Sequence, residues 1–567
     1  KFMQDEETKR WLEPMKEEGE LPWDKYFKGV YGTSLHDTMK DETGPAVAFI
    51  VIDETEEMEK SKSVPFIGLS DASQNQPKQE EHKRKHREHL KKEQHPDLKE
   101  STLDIAGVSV SIATASEEAD APWVDSFCFV DGVMIEATNR KLMEYMIGAV
   151  KSGSGEASDE VRGHFERLAQ LREGVADLTL YFNGTRAIDL LKEKLAEEAK
   201  KQDGKKAAPN PMGDVKPEQI LEAIGLSEFK GMAITLDFAD DRSRSDVLVF
   251  HPEKPTGILS WVSSGAKDVE LPAFIAADVA SGQVSTVEWL KMYDGLMGML
   301  MKLSPQMGMM ANMYLGGFEQ QNGFKIRDDF FGSLDGANFQ VSDTDGKTQS
   351  DVMGFKIKNA DKLGTALKGI QNALGGMGFA AFEESDYLGY KLNTLKASGG
   401  GSGETAAPEI AYVNTGKYLL IGTGKLDALR KVLGRMKDPS GGSIWETPRA
   451  QAQIALLPKG FNGLGVTDSS KMISTVFNAM EMVSKQAATQ KKSTTKKKGP
   501  GKGPAKGGDD DAKPAEAAGE ALAKFVDSKN RPSDATFQKY FGTMMSASYS
   551  HPDALHVQML STPVEAK

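Results

Sequence analysis

Residues 125–146 read DSFCFVDGVMIEATNRKLMEYM, and residues 409–430 read EIAYVNTGKYLLIGTGKLDALR. Gly132 aligns with Gly416 and Lys141-Leu142 with Lys425-Leu426, at an offset of 284. In both stretches an alternating apolar run meets a glycine turn, a second alternating run follows, and helical spacing takes over. A chain that writes one strand–turn–strand–helix unit twice is read as two related halves before any motif in it is weighed.

Working outward, Tyr26-Phe27 and Gly32 match Phe330-Phe331 and Gly336, and Val47–Ile52 matches Met353–Lys358. Asp104 and Gly107 match Asp386 and Gly389, and Asn183, Arg186 and Ile188 meet Asp468, Lys471 and Ile473. Residues 231–250 and 543–560 each read as two alternating strands about a polar turn. Strand pairs joined by tight turns predict an α+β fold of two tandem units, 1–265 and 266–567. Each unit is expected to be a mainly antiparallel sheet with helices packed on it. Between the second and third matches the offset falls from 306 to 282, so the first half is read as carrying a charged insertion near 55–100. In the second half, Leu363, Leu367, Ile370 and Leu374 predict a helix, and Tyr387–Leu392 and Glu409–Gly422 predict strands turning at Asn414-Thr415-Gly416. Leu426, Leu429, Val432 and Leu433 predict a further helix ending near Gly434. Residues 398–407 and the Lys-, Gly-, Pro- and Asp-rich insertion 488–517 hold too little apolar surface to offset the entropy of ordering them, and are expected to be mobile. Residues 271–303 have only residues 1–20 opposite them, so the reading places part of the first unit, and an export signal, upstream of Lys1.

A net charge of −13 sets the surface against nucleic acid and anionic lipid, so no nucleic-acid partner is expected. The single cysteine, Cys128, excludes internal disulfides and thiolate clusters. No apolar run is long enough to cross a membrane as a helix.

Motifs that carry chemistry are weak. His82, His86 and His89 share a helical face, but Lys83, Arg84, Lys85 and Arg87 around them would repel a dication, so a solvated charged helix is the better reading. Gly422-Thr423-Gly424-Lys425 lacks the spacing of a phosphate-binding loop, and a helix cap accounts for it, as for Ala137-Thr138-Asn139-Arg140. Asp343-Thr344-Asp345-Gly346 starts like a calcium loop, lacks the later acidic ligands, and reads as a hairpin turn. The seven lysines of 491–506 stand without aromatics and precede Asp509-Asp510-Asp511, which predicts a solvated tether. No catalytic residue, metal ligand or cofactor follows from these patterns.

Residues 286–318 carry the functional expectation. Trp289, Met292, Tyr293, Met297, Met299, Met301, Met309, Met310 and Met313 are candidate ligand-binding residues, with Met307 and Tyr314 beside them. Methionine is flexible and polarisable, and adaptable binding surfaces overuse it. The competing reading makes the run two core helices covering a sheet, broken at Ser304-Pro305.

Leu271-Pro272-Ala273-Phe274-Ile275 with Ala277-Asp278-Val279, the run Phe355–Leu363, Ala411-Tyr412-Val413 and Gly416–Gly422 together resemble an uncharacterised bacterial family. Its members are exported proteins of planctomycete-type bacteria with tandem α+β units and a domain of unknown function. The resemblance is best over 271–436 and fainter over 20–260, and its motifs are structural, so no site residue carries over. It implies residence outside the cytoplasm, in the periplasm or at the cell surface. The expected function is a non-enzymatic binding or structural scaffold whose partner is a protein or an apolar, lipid-like ligand. The alternatives are a carrier holding such a ligand in a Met-lined cavity, and a hydrolase with a site between the two units.

Overall fold

The computed structural model describes residues 5–13, 46–50, 66–73, 75–93, 95–115, 123–153, 159–172, 176–202, 217–238, 242–262, 269–344, 348–376, 380–397, 409–477, 480 and 531–562. The chain is α+β with antiparallel sheets. It divides into two compact units, Thr8–Thr179 and Leu180–Lys567, the second including Lys1–Glu7.

The smaller unit holds one sheet of β1 (Ala46–Ile50), β2 (Phe66–Asp71), β3 (Lys99–Ile105), β4 (Val108–Thr114), β5 (Trp123–Val130) and β6 (Val133–Ala137). Their spatial order is β1-β2-β6-β5-β4-β3. The β3–β4 turn is Ala106-Gly107 and the β5–β6 turn is Asp131-Gly132. All four residues have positive φ, the geometry whose twist matches a two-residue hairpin. Helix α3 (Arg140–Ser152) follows; the Asn139 side chain caps it by accepting from Leu142 N at 2.9 Å, and it buries Met143 and Ile147 on the sheet.

The charged run lies in α2 (Gln76–Glu93), between β2 and β3. Lys83, Arg87 and Leu90 share one face of the helix. Leu90 packs with Leu98 and Ala113, while Arg87 is 4% exposed and reaches Asp125 at 2.7 Å and Ser111 Oγ at 2.7 Å. Lys83 pairs with Asp125 at 2.8 Å and with Glu136. The Arg87 guanidinium also lies 5.0 Å over the Phe127 ring. Hydropathy marks this face as polar, whereas the helix uses long cationic side chains to cover the sheet.

The second sheet has thirteen strands, all in the larger unit save Leu178 and Thr179 at the start of the first. They are β7 (Leu178–Asn183), β8 (Gly231–Phe238), β9 (Ser243–Phe250), β10 (Ser281–Thr286), β11 (Leu334–Thr344), β12 (Gln349–Ile357), β13 (Ala380–Tyr387), β14 (Tyr390–Ala397), β15 (Glu409–Asn414), β16 (Tyr418–Gly424), β17 (Gly463–Asp468), β18 (Thr543–Ser550) and β19 (Ala554–Ser561). Their order is β13-β14-β15-β16-β12-β11-β10-β17-β18-β19-β9-β8-β7. The six strands β11 to β16 follow one another as β1 to β6 do: first, second, sixth, fifth, fourth, third. Tyr387–Leu392 is not one strand, because Leu388-Gly389, both at positive φ, turn β13 into β14. Helix α10 (Ala360–Gly376) buries Leu363, and α11 (Asp427–Lys437) buries Leu429, Val432 and Leu433, running three residues past Gly434.

The division expected at 265/266 differs from the compact units. Strand β9 pairs antiparallel with β19 from Ser243↔Ser561 to Phe250↔Ala554, so β7 to β9 extend the sheet of the C-terminal half. The linkers 398–407 and 488–517, the Lys-rich run 491–506 and the matches at Tyr26-Phe27 and Gly32 lie outside the described residues.

Candidate functional site

The methionine-rich stretch forms a helical hairpin, α8 (Trp289–Leu303) and α9 (Pro305–Asn322). Ser304 ends the first helix and caps the second by accepting from Met307 N at 3.3 Å, with Pro305 at the first position and left-handed Gly323 closing α9. The break is therefore where Ser304-Pro305 placed it.

Aromatic and glycine contacts seat the hairpin. Trp289 meets Phe355 edge-on at 5.3 Å, Tyr293 tilts onto Phe331 at 5.3 Å, and Phe318 meets buried Phe324 at 5.8 Å. Helices α6 (Pro217–Ala223) and α7 (Gly257–Val262) pack on α8, with the Trp261 indole where a Cβ on Gly295 would stand. Arg327 holds Asp294 on α8 by two hydrogen bonds, 2.7 and 2.8 Å, and these keep the Asp294 carboxyl below the usual carboxylate range.

The loops carrying α6 and α7 touch backbone to backbone at Gly225 and Gly257, both at positive φ, where a Cβ would collide with Thr256 O or the Ile224 carbonyl. Gly257→Ala is expected to cost at least about 2 kcal/mol, since left-handed backbone alone costs an L-residue ~1–2 kcal/mol. Thermal unfolding of the variant measures it, and an unchanged midpoint would show that the loops yield.

The core reading of the hairpin fails. No residue of α8 is buried, and in α9 only Gly308, which has no side chain, is. Trp289, Met292, Tyr293, Met297 and Met299 are half-buried. Met301, Met309, Met310 and Met313 are 40, 60, 44 and 66% exposed, with Tyr314 at 67%. Met309, Met310, Met313 and Tyr314 recur at helical spacing and form an outward stripe. Residues 303–318 hold no charged side chain.

A cleft of about 530 Å³ opens beside the start of α8, lined by Glu270, Trp289, Leu290, Lys291, Asp335 and Lys356 among others. Of the nine candidate residues only Trp289 lines it. Its charges answer one another: Lys356 reaches Glu270 at 2.7 Å and Asp335 at 3.8 Å. The hydrogen bond between them holds the Glu270 carboxyl low and the Lys356 ammonium high.

No family model, curated protein or solved structure matches this chain.

Sequence reasoning missed a polar cluster at the β9–β19 seam. Asp246 is fully buried, and its carboxylate accepts from Arg244 Nε at 2.7 Å, Arg244 Nη2 at 3.0 Å and lies 2.9 Å from His556 Nε2. With its amide oxygen turned toward Arg244, Gln558 accepts from the same guanidinium at 2.9 and 3.1 Å. Tyr549 stacks on His556 at 5.3 Å. Burial by itself would raise the Asp246 carboxyl, but the hydrogen bonds from His556 and Arg244 prevail and hold it below its ordinary range. The signal available in sequence was Arg244-Ser-Asp246 and His556-Val-Gln558, polar residues alternating with apolar ones on two strands. It becomes legible only once the pairing Asp246↔Gln558 is known.

Other chemistry-bearing residues are confined. The Cys128 thiol is buried beside Met143 and pushed up to about 11 by that burial. His86 on α2 is held below its ordinary value by burial and by Lys83. Among the described residues no group of three or more His, Cys, Asp or Glu is placed to hold a metal ion, and no helix is long and apolar enough to cross a membrane.

Proposed function

We propose that this chain is a non-enzymatic binding scaffold of the bacterial cell envelope that docks a partner protein through the α8–α9 hairpin. The observation that carries the reading is the outward stripe of Met309, Met310, Met313 and Tyr314 on a helix whose only charged residue is Glu319. A contiguous apolar patch on a folded surface marks an interaction site. Helices that rest in a lipid interface carry lysine and arginine on their polar face, and α9 has neither, which favours protein over lipid. The carrier reading needs the methionines around a cavity, whereas the exposed ones point outward and the cleft takes only Trp289. Sealing of the Asp246–His556 pair and of the Cys128 thiol supports the non-enzymatic part. The envelope location rests on the resemblance alone, and fractionation of the producing cell checks it.

We propose further that the scaffold holds two units of common origin. The support is the strand order shared by β1–β6 and β11–β16, together with turn glycines at Gly107 and Gly389 that the sequence aligned.

The docking reading is tested on the full chain with a photocrosslinking residue at Met313, and with the same residue at exposed Leu388 as control. A defined protein adduct at Met313, lost in a Met309→Asp background, is expected. Burying one large apolar side chain is worth ~1.5–3 kcal/mol, so that substitution should weaken binding about tenfold or more. Crosslinking no stronger than at Leu388 overturns the reading. A lipid mass that survives mild extraction in native mass spectrometry, and is lost with Met309→Asp, establishes the carrier instead.

A further inference from the structure

The large sheet is mirrored about its seam. Outward from β9–β19 run β8 and β7 on one side, β18 and β17 on the other. Beyond β17 the sheet continues, with β10 pairing antiparallel from Ser281↔Thr467 to Ser285↔Gly463. Beyond β7 no strand follows among the described residues. One half thus shows what the equivalent edge accepts, an antiparallel strand, and among the described residues the other half leaves that edge open.

The two ends of this sheet are built differently. Strand β13, at the far end, presents Glu383, Glu384 and Asp386, all exposed, and charges of this kind blunt an edge against further pairing. Strand β7 reads Leu178-Thr-Leu-Tyr-Phe-Asn183 and has no charge. Leu178, Leu180 and Phe182 lie on one face by strand alternation and are 40, 52 and 45% exposed. An uncharged edge with an apolar face is a template for another strand.

We propose that a second copy of this chain occupies the β7 edge, β7 pairing antiparallel with its counterpart across a two-fold axis at Leu180. The sequence is self-complementary in that register. Leu180 falls opposite Leu180 of the other copy, and Leu178 falls opposite Phe182 in both directions, so all three apolar pairs share one face. The net charge of −13 on each chain opposes association elsewhere on the surface, and an uncharged strand is where two such chains can meet. The inference is independent of the hairpin.

Sedimentation velocity on the full chain tests it. The expected result is a dimer that dissociates on dilution. Leu180→Lys and Leu180→Glu should each raise the dimer Kd at least tenfold, because like charges then face each other, while far-ultraviolet circular dichroism stays unchanged at so exposed a position. An equimolar mixture of the two variants should recover the dimer, with lysine opposite glutamate. Met313→Asp should leave the dimer intact, which separates this interface from the hairpin. A wild-type chain that stays monomeric at ~100 μM overturns the proposal. So do variants that dimerise as wild type does, or a mixture that fails to recover.

Discussion

Replacing Arg87 with methionine is expected to destabilise the unit Thr8–Thr179 by about 3 kcal/mol, the lower end of what breaking a buried ion pair costs. Arg87 and Asp125 side chains are 4 and 6% exposed and 2.7 Å apart. Methionine fills much of the same volume, so the loss is chiefly electrostatic: Asp125 stays buried with one cation instead of two. Lys83 at 2.8 Å remains, which keeps the cost from the top of the range. The guanidinium also donates to Ser111 Oγ at 2.7 Å and to Ser111 O at 3.1 Å, and both acceptors lose their partner. Arg87→Lys keeps the charge and loses the fork, so it should fall between wild type and Arg87→Met. Arg84, three residues earlier on the same helix, pairs with Glu81 and Glu88 in solvent, and Arg84→Met should leave the urea midpoint where it is. Burial would raise the Asp125 carboxyl, but Lys83 and Arg87 together hold it below its ordinary range. Its contribution is therefore present above the unfolded value of ~3.9 and is lost as pH falls through the lower folded value. Urea unfolding of the variant at neutral pH, followed by hydrogen–deuterium exchange of the backbone amides of β3 to β6, decides the matter. An unchanged midpoint would mean that Asp125 does not depend on Arg87.

What the sequence revealed, and what it hid, follow from how each feature is encoded. Gly132 and Gly389 were visible because a two-residue hairpin turn requires positive φ, which glycine accepts most readily. Strands β8, β9, β18 and β19 were visible because apolar and polar or small residues alternate along them, as in Leu555-His556-Val557-Gln558-Met559, although the buried face of β19 is the one that carries His556 and Gln558. The role of 81–89 was hidden because burial there runs through Lys83 and Arg87, residue types that hydropathy assigns to solvent. Matching Val47–Ile52 to Met353–Lys358 set β1 against β12, whereas in strand order β1 stands with β11 and β2 with β12. The insertion read near 55–100 rests on that match. The hairpin's exposure was hidden for the opposite reason. Periodicity reports that Met309, Met310, Met313 and Tyr314 lie on one face, and says nothing of whether that face meets a sheet or solvent.

The seam supplies the largest expected effect in the unit Leu180–Lys567. Asp246→Ala should cost about 3–5 kcal/mol at neutral pH, because it strands the Arg244 guanidinium and the His556 ring around an empty place. Asp246 has a depressed folded pKa, so its contribution is fully present above the unfolded value of ~3.9 and disappears as pH falls through the folded value. The difference between wild type and variant should shrink across that acid window. A difference that stays constant from neutral pH into the window would show that the carboxylate was never ionised. The cluster also bears on register. Around it, Leu248 and Phe250 on β9 and Ala554 and Leu560 on β19 are interchangeable apolar positions, and a slip of two residues would keep them on the buried face. That slip would carry Asp246 away from Gln558 and His556 and leave a buried charge without its partners, so the apolar pattern permits several pairings and the polar one selects a single register. Asp246→Leu is therefore expected to lose less stability than Asp246→Ala while broadening the amide resonances of 243–250 and 554–561. A single sharp set of resonances in that variant would assign register to the apolar side chains instead.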